Sequence, residues 1–185
     1  MTLEDYRADM ARCTRCSYCK WIPFDKIKSQ RFAKGCPSVE YNRFQPYSAG
    51  GRLAASLSFL EGRSGYTERF VDIANNCLLC GLCDVSCKVC RYNMEPLQAM
   101  KELRAKLVSD GQVLPQHTKL IQSLNENHNL MLQPQTARGN WASGLKIKDL
   151  NKEKSEVVFH AGCRISYDAE LRQTAVNAVN LLKKC

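Results

Sequence analysis

The sequence lacks several features that would place it in common classes of protein. It has no apolar run near the roughly 18 residues that a membrane span requires; its most apolar stretch is LAASLSFL, at residues 53–60. The first residues, MTLEDYRADMARC, include acidic side chains and no apolar segment, unlike a secretory signal. No Gly-rich phosphate loop, paired-carboxylate site or Ser-His-Asp arrangement is recognisable. These absences predict a cytoplasmic protein without a membrane span.

Cysteine, by contrast, is abundant. The chain has 185 residues, enough for one ordinary domain or two small ones, and 11 of them are Cys. An odd number leaves at least one thiol outside any closed set of internal disulfides. Because clustered thiols in a reducing cytosol bind metals more often than they form disulfides, metal binding is the first expectation.

The formal net charge is +9, from 27 basic and 18 acidic residues. Such a charge alone would suggest a nucleic acid or an acidic membrane surface as partner. That count treats every thiol as neutral. Four thiolates around a cubane core of about +2 carry about −2 in total, so two such clusters would lower the charge to roughly +5. We therefore predict that much of the basicity compensates charge within the protein, and that nucleic acid is not a partner.

Helical periodicity dominates the first two thirds of the chain. It predicts helices at the N-terminus, at about 50–61, from Glu68 to about Asn75, from Pro96 to Gly111, and after Pro115 with Leu120, Ile121 and Leu124 facing inward. Val157–Phe159 is predicted as a short strand, with a helix from Asp168 to Lys184. The predicted fold is mainly α: a helical domain at 1–125, a polar linker at 126–155 and the beginning of an α/β unit at 156–185.

The cysteines form two groups with matching spacing. The first contains Cys13, Cys16 and Cys19, with Cys36-Pro37 farther along; the second contains Cys77, Cys80, Cys83 and Cys87, with Cys90 three residues later. Three cysteines at this spacing let a tight loop present three sulfurs to three irons of one cluster, and the fourth ligand must come from farther away. In two-cluster ferredoxins that fourth ligand belongs to the other run.

Applied to this chain, the rule that each cluster takes its fourth ligand from the other cysteine run predicts two [4Fe–4S] clusters. One would be held by Cys13, Cys16, Cys19 and Cys87, and the other by Cys77, Cys80, Cys83 and Cys36. Cys36 is followed by Pro, as in the ferredoxin pattern, whereas Cys87 is followed by Lys88, so Cys87 and Cys90 remain alternatives for the first cluster. Because all eight ligands are Cys, no iron is open to substrate, and we expect outer-sphere electron transfer with no catalytic residue in this chain.

Other interpretations of the cysteines fit the spacing less well. Structural zinc takes two ligands from each Cys-x2-Cys pair and would leave the third Cys of both triplets unused. A zinc-stabilised module that binds nucleic acid or protein is nevertheless the alternative function. The spacing of Cys83, Cys87 and Cys90 matches radical S-adenosylmethionine enzymes, but only 95 residues follow it, too few for their barrel. A catalytic hypothesis would place Cys163 in a substrate-facing cluster.

The two runs, with the roughly 40-residue spacer from Cys36 to Cys77, resemble the alpha-helical ferredoxin domain of the heterodisulfide reductase C and D subunits over about residues 1–125. Similar domains occur in the iron–sulfur subunits of glycolate oxidase, anaerobic glycerol-3-phosphate dehydrogenase and succinate dehydrogenase. The end of the chain, VVFHAGCRISYDAELRQTAVNAVNLLKKC, resembles the opening of the cysteine-rich CCG domain of D-type subunits, whose first Cys matches Cys163 and helps to bind a further cluster. Such subunits also occur in the benzoyl-CoA reductase complexes of anaerobes.

The resemblance implies a subunit that relays single electrons within a larger anaerobic oxidoreductase complex. Its partners would be flavin or iron–sulfur subunits in a hetero-oligomer. The Cys-Cys-Gly segment of the CCG domain is not present, so a third cluster site at Cys163 would be incomplete in this chain. His160 is interpreted as hydrogen-bonded to backbone. Arg12, Arg15 and Lys20, which flank the first run, are interpreted as a solvated basic face.

Overall fold

The computed structural model describes residues 1–90 and 93–184. This part of the chain is mostly helical and has no strand, which confirms the predicted mainly α class; its one β-type pairing is an isolated bridge between Trp21 and Lys34. The α-helices are Arg7–Arg12 (α1), Pro37–Asn42 (α2), Ala49–Leu60 (α3), Glu68–Asn75 (α4), Leu82–Cys90 (α5), Pro96–Ser109 (α6), Pro115–Asn127 (α7), Gly162–Tyr167 (α8) and Ala169–Leu182 (α9). Short 3-10 helices cover Leu3–Tyr6, Phe24–Lys26, Gln30–Phe32, Gln45–Tyr47 and Gln135–Ala142. Among the described helices, none combines the length and the apolar character needed to cross a bilayer.

The chain divides into two compact units, Met1–Gln112 and Val113–Cys185. The first contains α1 to α6 and the second contains α7 to α9. The predicted domains at 1–125, 126–155 and 156–185 remain a prediction. By compactness alone the division falls after Gln112, so α7 belongs to the second unit.

The core of the first unit lies among α1, α3, α4 and α6. Its buried members come from faces with helical spacing: Leu3, Tyr6, Met10, Leu53, Phe70, Ala74, Ala99, Met100, Leu103 and Leu107. Burial of a Leu, Met or Phe side chain contributes roughly 1.5–3 kcal/mol. This core therefore fixes α3 against α1 and α6, which matters because α3 also borders both groups of cysteines.

The helix ends follow the signals in the sequence. Thr67 caps α4, because its Oγ1 accepts a hydrogen bond from the Phe70 amide at 3.1 Å. Ser48 caps α3 in the same way through the Gly51 amide at 3.0 Å. Pro96 opens α6, and Gly111, with φ of +78°, lies just beyond its end. The helix bounds predicted for α4 and α6 are therefore confirmed.

In the second unit, two expectations are wrong. The predicted inward stripe of α7 is not buried: Ile121 and Leu124 are exposed, and the buried position on that helix is Ser123, whose Oγ donates to the Asn129 carbonyl at 2.9 Å. The predicted strand at Val157–Phe159 is not formed, and these residues have no regular structure. A single apolar segment has no ladder partner within the described chain, and an unpaired strand is not stable.

The polar segment before α8 is partly ordered by side-chain contacts. Asn129 is almost completely buried, and its Nδ2 donates to the Gln133 carbonyl at 2.7 Å. Trp141, in the 3-10 helix, packs edge-on against Phe159 with ring centroids 5.8 Å apart. Part of the stretch predicted as linker is therefore folded within the second unit.

Candidate metal centre

Both cysteine triplets begin in tight loops with the same backbone pattern, and the last member of the second triplet, Cys83, lies in the first turn of α5. Cys13 follows α1, and two residues with left-handed φ come next in the loop, Arg15 at +55° and Ser17 at +73°. The second loop has the same pattern of left-handed φ angles after Cys77, with Leu79 at +52° and Gly81 at +80°. In each loop the left-handed residues stand two and four positions after the first Cys. A chain bent in this way can direct three sulfurs to one side.

The remote cysteine of each predicted set is placed by a helix. Cys36 directly precedes α2, whose first residue is Pro37, and its amide donates to the Lys20 carbonyl at 3.3 Å. Cys87 lies on α5, the helix that begins immediately after the second loop. The second loop and the start of α5 therefore supply three cysteines to one set, and the middle of α5 supplies Cys87 to the other set.

Two cavities bring the eight cysteines together in two sets of four. One is lined by Cys13, Cys16, Cys19 and Cys87. The other is lined by Cys36, Cys77, Cys80 and Cys83, with Cys19 again in its wall. We call these the first and the second cavity. Their membership follows the crossed pattern predicted from the spacing, in which each triplet takes its fourth Cys from the other run.

The first turn of α3 separates the two cavities. Ala49 and Cys19 line both of them, Gly50 and Leu53 line the first, and Arg52 lines the second. At Gly50 a Cβ atom would lie 3.5 Å from the Cys13 Sγ and 3.8 Å from the Cys19 Sγ, so the absent side chain leaves the helix close to two sulfurs. The cavities therefore share a thin wall built by one helix turn and one cysteine.

Burial and nearby negative charge raise the pKa of Cys19, Cys83 and Cys87. Burial raises the pKa of Cys83 to about 12, with Asp84 and then Cys77 adding to the effect. Burial likewise raises the pKa of Cys87 to about 12, and the next causes are Cys19, Cys13 and Cys16, the other members of its set. Desolvation also raises the pKa of Cys19, against a hydrogen bond from the Gly50 amide that lowers it. Four thiolates in such a site require a positively charged core between them.

Two arginines lie beside the second cavity. Arg52 is only 1% exposed; its Nε donates to the Ile73 carbonyl at 2.7 Å, its Nη2 to the Ser38 Oγ at 2.7 Å, and its Nη1 to the Tyr47 carbonyl. Arg104, half-buried on α6, donates to the carbonyls of Asn75, at 2.7 Å, and of Cys77. Together they bind the C-terminal end of α4, where carbonyls lack helical partners, and so fix the position of Cys77.

The donor set fits an iron–sulfur cluster better than a single ion. Throughout residues 1–90 and 93–184, no three Cys, His, Asp or Glu side chains converge closely enough to hold one metal ion. Zinc draws its sulfurs to about 2.3 Å from one point, whereas the four cysteines of each set stand around the wall of a cavity. The residues present therefore fit a cubane in each cavity, which a cysteine triplet and one remote Cys would hold.

Of the remaining predicted residues, Arg15 lines the first cavity, and the others lie outside both cavities or outside the described residues. The side chain of Cys90, the alternative to Cys87, and Cys185 fall outside the described residues. Cys163 is half-buried in the second unit, where the Arg138 Nη2 lies 3.7 Å from its Sγ. Arg12 is exposed and paired with Asp9, and the Lys20 Nζ donates to Gln45 Oε1 at 2.7 Å.

Sequence reasoning missed the wall residues Arg52 and Gly50. An Arg within an otherwise apolar helix is normally an exposed position, since Arg is rarely buried fully. The one signal in the sequence is that Arg52 immediately precedes Leu53, the first residue of the most apolar stretch of the chain.

One comparison with known proteins gives a match. Residues 9–90 match the family model of the 4Fe-4S dicluster domain. That segment covers 82 of the 185 residues and includes all eight cysteines of the two cavities. No curated protein and no solved structure matches the chain. The family match supports an iron–sulfur protein of the ferredoxin type that binds [4Fe–4S] clusters and has a role in electron transfer.

Proposed function

We propose that the chain is a two-cluster electron relay within a larger oxidoreductase complex similar to heterodisulfide reductase. One [4Fe–4S] cluster would be held by Cys13, Cys16, Cys19 and Cys87, and the second by Cys36, Cys77, Cys80 and Cys83. Such clusters accept and donate single electrons, and the protein contributes their position and environment. The observation that carries this proposal is the division of eight cysteines into two sets of four, around two cavities with a common wall.

The exposure of the cysteines supports a relay with two ends. Cys16 is the exposed member of the first set, and Cys80 is the exposed member of the second. Cys19, in the wall between the cavities, is buried. Each site therefore has one edge open to a partner and one edge turned toward the other site. This arrangement suits partner proteins that carry a flavin or iron–sulfur group, in a hetero-oligomer, because a relay needs both a donor and an acceptor.

The test is iron and acid-labile sulfide analysis of protein prepared without oxygen. We expect about eight irons and eight sulfides per chain, a brown solution with broad absorption near 400 nm, and reduced-state EPR of two interacting paramagnets. A colourless protein with two zinc ions and no sulfide would contradict the proposal and favour the zinc-stabilised module.

Single substitutions test the ligand sets. C87S and C36S should each reduce the iron content to about four and remove the magnetic interaction, because each leaves one complete set. C163S is the matched control, since Cys163 lines neither cavity, and it should keep about eight irons. C90S separates the two candidates for the fourth ligand. Loss of a cluster in C90S with retention in C87S would reverse the assignment.

A further inference from the structure

Arg52 is a buried cation without an acidic partner. Only 1% of the residue is exposed, and the acceptors of its three hydrogen bonds are two backbone carbonyls and the Ser38 hydroxyl. Among the described ion pairs, none includes Arg52. A buried charge is costly unless an opposite charge compensates it. Its hydrogen bonds give each guanidinium nitrogen an acceptor but leave its charge without a counter-charge.

The second cysteine set can supply a negative charge to Arg52. Arg52 lines the second cavity beside Cys36, Cys77 and Cys83. Burial lowers the pKa of Arg52, whereas Cys77 and Cys36 are the groups that counter this most strongly. Four thiolates around a cubane core carry a net charge of about −2, which becomes about −3 after one-electron reduction. A fixed cation at this position is therefore stabilising, and more so for the reduced form.

The first cavity has no equivalent in the described part of the chain. The cation in its lining is Arg15, whose side chain is exposed to solvent. Lys88, next to Cys87, is also exposed, and it is shared between Asp84 at 3.4 Å and Glu95 at 3.7 Å. Solvent and counter-charges screen such cations, whereas a buried one acts at a low effective dielectric. The two cysteine sets are therefore alike in ligands and unlike in electrostatic environment.

We infer that Arg52 sets the direction of electron flow, by giving the site at Cys36, Cys77, Cys80 and Cys83 a higher reduction potential than the site at Cys13, Cys16, Cys19 and Cys87. This inference rests on the proposed function. With clusters bound at both sites, one electron from a reduced one-electron donor would enter through the first site, the donor would be oxidised by one electron, and the electron would come to rest in the second site. No proton is required, because Arg52 remains charged throughout.

The inference is tested by EPR-monitored redox titration of R52Q and R52K beside wild type. Removal of the charge in R52Q should lower the ratio of reduced to oxidised second site at least about tenfold at the wild-type midpoint, a shift of about 59 mV for one electron. R52K keeps the charge and should retain most of the wild-type potential. The potential of the first site should change little. Titration of C36S and C87S, each with one complete set, assigns the two signals.

K101Q is the matched control for charge. Lys101 lies on α6 and is exposed, so its removal changes the net charge by the same amount under solvent screening. Equal potentials in R52Q, R52K and wild type would overturn the inference, as would equal shifts in K101Q and R52Q.

A second variant keeps the test decisive if R52Q does not load its clusters. R104Q removes the half-buried cation that donates to the Cys77 carbonyl, and it should shift the same site in the same direction by a smaller amount. An unchanged potential in R104Q together with a lowered one in R52K would mean that Arg52 acts only by fixing α4. A wild-type protein without clusters would instead defeat the proposed function, which separates the two failures.

Discussion

Gly51 allows α3 to approach the preceding 3-10 turn, and its replacement by Ala should disturb both cysteine sites. A Cβ atom at Gly51 would lie 2.6 Å from the Pro46 Cα and closer still to the Gln45 carbonyl oxygen. Real Cβ atoms essentially never come within 3.0 Å of another heavy atom. The turn cannot yield easily, because the same Gln45 carbonyl accepts hydrogen bonds from the Ser48 amide at 2.9 Å and its Oγ at 2.8 Å. The helix itself must therefore shift.

The expected cost of G51A follows from two opposing terms. Overpacking costs about 1–3 kcal/mol, and contact with backbone places this case in the upper part of that range. Ala is preferred over Gly inside a helix by about 0.5–1 kcal/mol, which offsets part of the cost. The net loss is about 1–2 kcal/mol. For a unit of this size it should lower Tm by about 5–10 °C.

The assay is anaerobic thermal unfolding of the cluster-loaded protein, followed both by far-UV circular dichroism and by absorbance near 400 nm. Since α3 forms the wall between the cavities, G51A should also lose iron to a chelator faster than wild type. G65A is the matched control, because a Cβ at Gly65 would have no atom within 4 Å. It should be neutral or up to about 1 kcal/mol more stable. The reasoning is refuted if G51A and G65A unfold at the same temperature and release iron at the same rate.

Three further predictions concern stability. L103A should destabilise the first unit by about 2–5 kcal/mol, because Leu103 lies in the core and is 2% exposed. V108A, on the exposed side of α6, should change the free energy of unfolding little, and denaturant titration compares the two variants. N129A should increase proteolysis within residues 127–134, because it leaves the Gln133 carbonyl and the Met131 amide without their partner at a cost of about 1–3 kcal/mol. The iron content of N129A should not change. The control is N151A, because Asn151 is exposed. Hydrogen bonds from Lys106 and then Tyr66 lower the pKa of Asp110. The stabilising effect of Asp110 is therefore complete above its unfolded-state pKa and is lost as pH falls through its lower folded-state pKa. Thermal melts from pH 6 to pH 3 should show a weaker acid dependence of Tm for D110N than for wild type, and an unchanged dependence would contradict this.

Each cysteine triplet is a local feature, so its grouping could be predicted from the sequence, whereas the assignment of the eight cysteines as cluster ligands stays a prediction. Spacing alone predicts a loop with three sulfurs on one side, and the need for a distant fourth ligand predicts the crossing of Cys36 and Cys87. Helix bounds were predictable where capping residues such as Thr67 and Pro96 mark them.

Other features depend on tertiary contacts that leave no periodic signal. Apolar spacing indicated that Ile121 and Leu124 face a core, but α7 buries Ser123 instead, through a hydrogen bond to the Asn129 carbonyl. The apolar run at Val157–Phe159 has no strand partner in the described chain and stays irregular. Arg52 is buried because carbonyls from two other elements converge on it, a condition that a linear pattern cannot express.

Cys19 and Ala49 border both cavities, and this sharing would couple the assembly of the two proposed clusters. The conformational entropy lost when the Cys13–Cys19 loop and the start of α3 become ordered is lost once, at whichever centre forms first. The second centre then forms on a chain already arranged for it. Loading of one cavity should accordingly make loading of the other easier, although a variant with one complete cysteine set should still hold one cluster.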